Sequence, residues 1–320
     1  MNNLKSRRAF IVGLSSTKIT NKERLFLRKY KPWGVILFAR NIKSVDQTKK
    51  LTNDIKKIFK DQKYQILIDE EGGMVTRIRS IIDNSHFPAK YFGDNYKKDK
   101  TKSLLYLRTY IKQISHLLRY MGISINTVPV LDIPRPFTSK VIGTRAISKD
   151  INVINKIGEK TIEHFKEARI ATVIKHIPGH GLAKSDSHLK LPIVDKTYEY
   201  LMKNDFKTFK NKKSLFAMTA HILFKKIDAN NPATHSSKII GIIKKKIKFK
   251  NLIISDDISM KALKFNITLN TIKAFTAGCD LVLHCNGKIK EMTKVAENSK
   301  KLNKFIIEKT LKYYRLVGND

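Results

Sequence analysis

Cysteine is scarce in this sequence, and long apolar runs are missing from it. Two cysteines among 320 residues are too few for a disulfide scaffold. If residues 279–285 form a strand, those two thiols lie roughly 20 Å apart. No stretch approaches the ~18 apolar residues of a membrane span. The run at 9–14, preceded by Lys5, Arg7 and Arg8, is shorter than a full signal-peptide core and lacks a small-residue cleavage site. We therefore expect free thiols and a cytosolic protein that does not associate with a membrane.

Acidic residues are also few. There are 27 of them against 64 lysines and arginines, which gives a net charge of +37 and a sequence pI of about 10.1. Such a surplus is typical of nucleic-acid binding, of attraction for anionic substrates, or of a tolerated codon bias. The densest basic run, 244–250, alternates with Ile247 and Phe249, which favours a solvated helix face. No recognition motif accompanies the charge, so we expect no nucleic-acid partner. A salt titration of DNA binding would expose that alternative.

The remaining composition, 42% hydrophobic, is sufficient for a large core. Eight short β-rich runs alternate with helical patterns, two of which are 44–61, with a capping box of Ser44 and Gln47, and 100–121. The predicted strands are 9–14, 34–39, 65–70, 123–129, 171–176, 214–221, 252–257 and 279–284. This alternation favours an α/β fold with one (β/α)₈ TIM barrel that spans residues 1–320 as a single domain, and a doubly wound sheet is the alternative. In such a barrel the active residues follow the carboxyl ends of the strands.

Two acidic clusters follow predicted strands directly. Because acidic residues are rare here, their position at strand ends points to function. The first is Asp69-Glu70-Glu71, followed by paired glycines that allow a sharp turn. The second is Asp256-Asp257, where Asp256 offers a carboxylate as a nucleophile or charge stabiliser. Asp257 has a structural alternative, namely to cap the next helix.

A third motif combines histidines with a lysine and an aspartate after the fifth strand. It runs from Lys175-His176 through His180 to Asp186 and His188. Its spacing fits no named metal signature, and the lysine would disfavour a cation, so no metal site is expected. Asp186 and His188 form a candidate proton-transfer dyad, with two surface residues as the alternative. Because little apolar content fixes the segment to the barrel, we expect a mobile loop.

Seven segments together resemble a known family. They are 33–38, 69–73, 129–132, 141–145, 175–188, 218–221 and 255–260, and they are distributed in this order over most of the length of the chain. With these motifs the sequence is similar to the bacterial β-N-acetylglucosaminidases of glycoside hydrolase family 3, which are cytosolic peptidoglycan-recycling enzymes. Met74 stands where the family generally has arginine, and Thr144 often corresponds to aspartate. Neither departure falls on the candidate catalytic residues.

The resemblance implies a site and a reaction. It implies that Asp256 is a nucleophile that forms a covalent glycosyl-enzyme, with His188 as the acid/base and Asp186 orienting it. Residues that would hold the N-acetylglucosamine ring are Asp69, Arg77, Arg145, Lys175 and His176. The expected protein is a monomeric, cofactor-free, retaining exo-β-N-acetylglucosaminidase that acts on muropeptides, and its acid/base loop would close over bound sugar.

A second reaction fits the same residues. In a phosphorylase, phosphate rather than water would resolve the covalent intermediate, because a neutral histidine repels an anionic acceptor less than a carboxylate does. Formation of N-acetylglucosamine 1-phosphate in phosphate buffer distinguishes the two reactions.

Overall fold

The computed structural model describes residues 2–318, and its main feature is a closed barrel of eight parallel strands. The barrel strands are β1 (Arg8–Gly13), β2 (Pro32–Leu37), β3 (Gln65–Ile68), β4 (Ile125–Asn126), β5 (Ala171–Ile177), β7 (Phe216–Thr219), β9 (Leu252–Asp257) and β10 (Leu281–His284). Pairing of β1 with β10 closes the ring. The predicted (β/α)₈ barrel is confirmed, and the doubly wound sheet is excluded. Two further strands that the sequence analysis missed, β6 (Ile193–Val194) and β8 (Leu223–Phe224), pair as a separate small sheet.

Helices precede the first strand, lie between the strands and follow the last one. In the described part of the chain they are α1 (Asn2–Lys5), α2 (Asn21–Tyr30), α3 (Val45–Phe59), α4 (Ala89–Lys98), α5 (Lys100–Tyr120), α6 (Ile151–Glu167), α7 (Tyr198–Lys203), α8 (Ser237–Lys245), α9 (Ile267–Ala277), α10 (Ile289–Glu297) and α11 (Lys304–Val317). The two helices predicted by pattern correspond to α3 and α5. Ser44 caps α3 as predicted. The other half of the capping box is wrong, because the Gln47 side chain accepts from the Lys43 amide instead. None of these helices is long and apolar enough to cross a membrane.

Several predicted strands are longer than the observed ones. The predicted strand 123–129 pairs regularly only over β4, because the Val128 amide bonds back to the Asn126 carbonyl, and Pro129 has no N–H to donate. Its carbonyl still accepts from the Lys175 amide, so the chain stays beside β5 through an isolated bridge. Strand β3 stops at Ile68 because the Glu70 amide bonds to the Asn126 side chain and leads the chain away. The carboxylates that follow are thereby turned into the barrel mouth.

The apolar core has two layers, which follow from the two-residue period of the strands. In β1, Phe10 and Val12 belong to the cluster beneath the helices, whereas Ile11 belongs to a second cluster with members from all eight strands. That second cluster fills the barrel interior. Helix α11 contributes Tyr313 to it, and the Trp33 indole donates to Thr310 of the same helix at 2.8 Å. Helix α11 therefore closes the barrel interior at its amino-terminal end.

The basic run 244–250 is solvated as the sequence predicted, but most of it is not helical. Ile247 and Phe249 are buried, while the lysines at 244–246, 248 and 250 are exposed. Only Lys244 and Lys245 belong to α8, so the predicted helix face is wrong for the rest of the run.

A buried arginine ties the closing helix to the barrel. One Arg7 nitrogen lies 2.6 Å from Asp61, and another donates to Gln65 at 2.9 Å. The guanidinium stacks over the Tyr64 ring, 4.8 Å from its centre, and Tyr314 of α11 bonds to the same aspartate. Since a buried charge is costly without its partner, this network should contribute substantially to stability.

We predict that Arg7→Met lowers the free energy of unfolding by about 3 kcal/mol, because Asp61 then loses its cation. Urea unfolding followed by the fluorescence of Trp33, the single tryptophan, measures this. Arg79→Met is the matched control, since the Arg79–Asp83 pair is exposed at 3.6 Å and such pairs contribute under about 1 kcal/mol. Equal losses in the two variants would contradict the assigned role of Arg7.

Candidate active site

The open end of the barrel holds a cavity of about 250 Å³ that gathers most of the predicted site residues. Seven of the eight line it, namely Asp69, Arg77, Arg145, Lys175, His176, His188 and Asp256. The eighth, Asp186, bonds to His188. A larger groove of about 980 Å³ lies between α5 and α6 but contains none of these residues. The structure thus brings together side chains from four separate strand ends.

Lys175 is the centre of an ion cluster on the floor of this cavity. Its ammonium lies 3.1 Å from an Asp69 oxygen, 2.6 Å from Glu71 and 2.8 Å from the Thr127 hydroxyl. The lysine side chain is only 3% exposed. Burial alone would raise the pKa of Asp69, but Lys175 and Arg77 hold it well below its ordinary value. Asp69 is therefore an ionised carboxylate in the lining of the cavity.

Glu71 joins the lysine to Arg145. Arg145 belongs to the short helical turn Gly143–Arg145. Two of its nitrogens donate to the two Glu71 carboxylate oxygens, at 2.7 and 3.0 Å. Burial would raise the pKa of Glu71, yet the two cations lower it to about 2. The sequence analysis quoted Glu71 within its first acidic cluster but gave it no role. No sequence signal distinguishes it, because its partners Lys175 and Arg145 are distant in the chain and meet it only in the folded structure.

His176 is oriented by two buried partners. Its Nδ1 lies 2.8 Å from Asp132, and its Nε2 lies 3.3 Å from an Arg145 nitrogen. A guanidinium can only donate, so Nε2 accepts, and Nδ1–H donates to the carboxylate. Asp132 also accepts from the His180 amide at 2.6 Å. The sequence analysis included Asp132 only within the segment 129–132 and gave it no role, and here it fixes the geometry of both histidines.

Asp256 is the penultimate residue of strand β9 and lines the same cavity. One carboxylate oxygen accepts from the Asp257 amide at 2.8 Å. Burial would raise the pKa of Asp256, but the neighbouring His221 and His176 and this amide lower it. The His221 ring donates from Nε2 to the Asp257 carbonyl at 3.0 Å. Asp256 is thus an ionised carboxylate on a rigid strand, which is the form that a nucleophile requires.

The alternative in which Asp257 caps the next helix is wrong. Helix α9 begins ten residues later and is capped by Asn266. Instead, Asp257 accepts from the amide and hydroxyl of Ser259 and from the Cys285 amide. It therefore stabilises the turn directly behind Asp256.

The predicted dyad is formed in the β5–β6 loop, residues 178–192. His188 Nδ1 lies 2.8 Å from Asp186, which also accepts the His188 amide. Burial would raise the pKa of Asp186, but these His188 contacts lower it. The His188 side chain is 59% exposed, so its other nitrogen is free to reach a ligand at the cavity rim.

The loop is fixed to the barrel more firmly than its composition suggested. His180, Leu182 and Ala183 are all buried, so the expectation of little apolar contact holds only for the segment 184–190. In the described part of the chain, no three histidine, cysteine, aspartate or glutamate side chains are placed to hold a metal ion.

Comparison with known proteins assigns the fold and the chemistry to one family. A family model described as the N-terminal domain of glycosyl hydrolase family 3 matches residues 4–313. A β-hexosaminidase of Methylobacillus flagellatus is 32% identical over 282 residues, which cover 86% of this chain and 80% of that protein. A second, from Idiomarina loihiensis, is 30% identical over 87% of this chain and 84% of its own length.

Solved structures agree with this match. NagZ from Neisseria gonorrhoeae in complex with N-trifluoroacetyl-D-glucosamine superimposes with a TM-score of 0.86 at 25% identity, and the match covers 98% of this chain and 91% of that one. A family 3 β-N-acetylglucosaminidase from a Paenibacillus strain gives a TM-score of 0.87 at 23% identity, over 100% of this chain and 64% of that one, and supports the fold.

The depressed pKa of Glu71 predicts how stability responds to acid. In the unfolded chain the Glu71 carboxylate is protonated near the ordinary glutamate pKa of about 4.5, whereas in the native state its pKa is about 2. The contribution of the ionised Glu71 to the free energy of unfolding is therefore complete at neutral pH, and it is lost as the pH falls from about 4.5 to about 2. We predict that Glu71→Gln is less stable than wild type at pH 6 and that the gap narrows by about 1 kcal/mol at pH 3.5. Urea unfolding at both pH values tests this.

The control for that experiment is Glu308→Gln, which removes an exposed carboxylate paired with Lys312 on α11. Its stability should differ little from wild type at either pH. If the difference in unfolding free energy between wild type and Glu71→Gln stayed constant or widened in acid, that result would contradict the proposed ionised cluster.

Proposed function

The chain belongs to glycosyl hydrolase family 3 and is a β-hexosaminidase, and from that premise we propose that it is a retaining exo-β-N-acetylglucosaminidase. One observation supports the retaining mechanism in this proposal. Ionised Asp256 on β9 and the Asp186–His188 dyad on the β5–β6 loop border the same cavity. This arrangement provides a candidate nucleophile and a candidate proton donor on two different elements. Two displacements at one carbon retain configuration, and this pair of groups suits both steps.

In the first step of the proposed mechanism, Asp256 attacks the anomeric carbon while the bond to the leaving oxygen breaks. His188 gives its proton to that oxygen, and Asp186 stabilises the charged ring before transfer. In the second step, water attacks the same carbon and passes a proton to His188, and the Asp256 carboxylate is released. Most retaining glycosidases use a carboxylic acid for the proton transfer, so a histidine is a departure from the common arrangement.

The ion cluster on the cavity floor suits the recognition of a sugar ring. We assign ring binding to Asp69, Arg77, Arg145, Lys175 and His176. The carboxylate accepts from ring hydroxyls, while the cations donate to hydroxyl or acetamido oxygens. Because Lys175 and Arg145 are already held by Glu71, they need little reorganisation when the sugar binds.

We propose a muropeptide as the substrate, cleaved in the cytosol by a monomer without a cofactor. Muropeptides carry lactyl and peptide carboxylates, and a chain with a net charge of +37 attracts such anions at long range.

We predict that Asp256→Asn loses at least about 10³-fold in kcat on an aryl β-N-acetylglucosaminide while the barrel stays folded, because the change keeps shape and removes the attacking charge. Asp257→Asn is the adjacent control and should lose far less. A 2-fluoro sugar that traps the intermediate should label Asp256. Peptide mapping that places the label on Asp69 or Asp257 would refute the assignment.

We predict that His188→Ala reduces kcat for a natural disaccharide far more than for an aryl glycoside whose phenol is acidic, because a poor leaving group depends most on protonation. Asp186→Asn should show the same pattern more mildly, since it only weakens the orientation and basicity of the ring. Rates measured across a series of phenols test this. Equal losses for good and poor leaving groups would count against the acid role.

A further inference from the structure

Ser187 differs from both of its neighbours in the β5–β6 loop. The side chains of Asp186 and His188 are 29% and 59% exposed, whereas Ser187 as a residue is only 3% exposed. One buried residue between two accessible ones is the pattern of an anchor within a solvent-facing segment.

The hydroxyl and the carbonyl of Ser187 contact two different segments of the chain. Its hydroxyl lies 3.2 Å from His180 Nε2, and its carbonyl accepts from the Ala262 amide at 3.1 Å. Ala262 lies in the turn that follows β9, the strand that carries Asp256. Ser187 therefore connects the loop with the dyad directly to the segment behind the proposed nucleophile.

His180 is a firm support for this contact. It is buried, and its amide is held by Asp132, the carboxylate that also orients His176. Burial lowers the pKa of His180 to about 4, so the ring is neutral at pH 7. Within residues 2–318 its Nδ1 has no hydrogen-bond partner. The Ser187 hydroxyl is thus the contact that satisfies this ring in the described structure.

We propose that Ser187 is a positioning residue that holds segment 184–190 against β9 through His180 and Ala262, and so sets where His188 stands relative to Asp256. This inference rests on the proposed function for its catalytic consequence. Removing the hydroxyl would leave both nitrogens of a buried ring unpaired in the docked loop, and undocking would relieve that penalty. The loop would then spend more time away from the cavity.

The test compares Ser187→Ala with Ser185→Ala, a matched control on the same loop. Ser185 makes no hydrogen bond in the part of the chain that the structure describes. The Leu189 and Lys190 amides, which bond to the Asp186 carbonyl, report on loop order. Hydrogen exchange measured by mass spectrometry without substrate should be about tenfold faster there in Ser187→Ala and unchanged in Ser185→Ala. Equal exchange in both variants would overturn the proposal.

Kinetics give a readout that general destabilisation would not change. Ser187→Ala should lower kcat on a disaccharide about tenfold, change kcat on an aryl glycoside with an acidic phenol by less than about twofold, and leave KM unaltered. Equal losses on both substrates, or a change confined to KM, would contradict the positioning role.

A double-mutant cycle assigns the effect to the pair. In a His180→Asn background, Ser187→Ala should add less than about twofold to the exchange rate, whereas additive effects would show that the hydroxyl acts elsewhere. If the wild-type protein cleaves no N-acetylglucosaminide, the proposed function fails, and the exchange experiment still decides whether Ser187 anchors the loop.

Discussion

Two buried cations at the barrel mouth determine much of the arrangement around them. Lys175 and Arg145 are both largely removed from water, and buried charges are costly unless they are paired and hydrogen-bonded. Glu71 pairs with both, and Asp69 pairs with the lysine. The chain after β3 must therefore fold against β5 rather than into solvent. The polar groups that we assign to sugar binding are consequently in place before a sugar arrives.

The two proposed catalytic groups stand on supports of different rigidity. Asp256 is the penultimate residue of a barrel strand, and Asp257 bonds to Ser259 and Cys285 in the turn behind it. His188 lies on the loop segment 184–190, in which Ser187 is the buried residue and the others are exposed or half-buried. A fixed nucleophile combined with an adjustable proton donor allows the site to accept leaving groups of varied shape.

The barrel and the site residues could be predicted from sequence because strand period and strand ends are local signals. Apolar runs followed by acidic or histidine clusters marked Asp69, Asp256 and the dyad. The partners of these residues could not be read in the same way. Glu71 and Asp132 matter because Arg145 and His176 meet them in space, and no sequence spacing records those contacts.

Two other features escaped prediction for related reasons. Helix α11 closes the barrel through Thr310 and Tyr313, but its sequence pattern is that of any amphipathic helix. The role of Asp257 was misread because a carboxylate near a strand end favours a helix cap only when the helix follows at once. Asn266, the actual cap, lies nine residues further along the chain.

The stereochemistry of the first product tests the central claim most directly. Proton NMR can follow the anomeric signals of N-acetylglucosamine released from a β-glycoside before mutarotation mixes them. Double displacement through Asp256 predicts that the β-anomer appears first and the α-anomer only later. Initial release of the α-anomer would mean a single displacement by water, and it would contradict a covalent intermediate on Asp256.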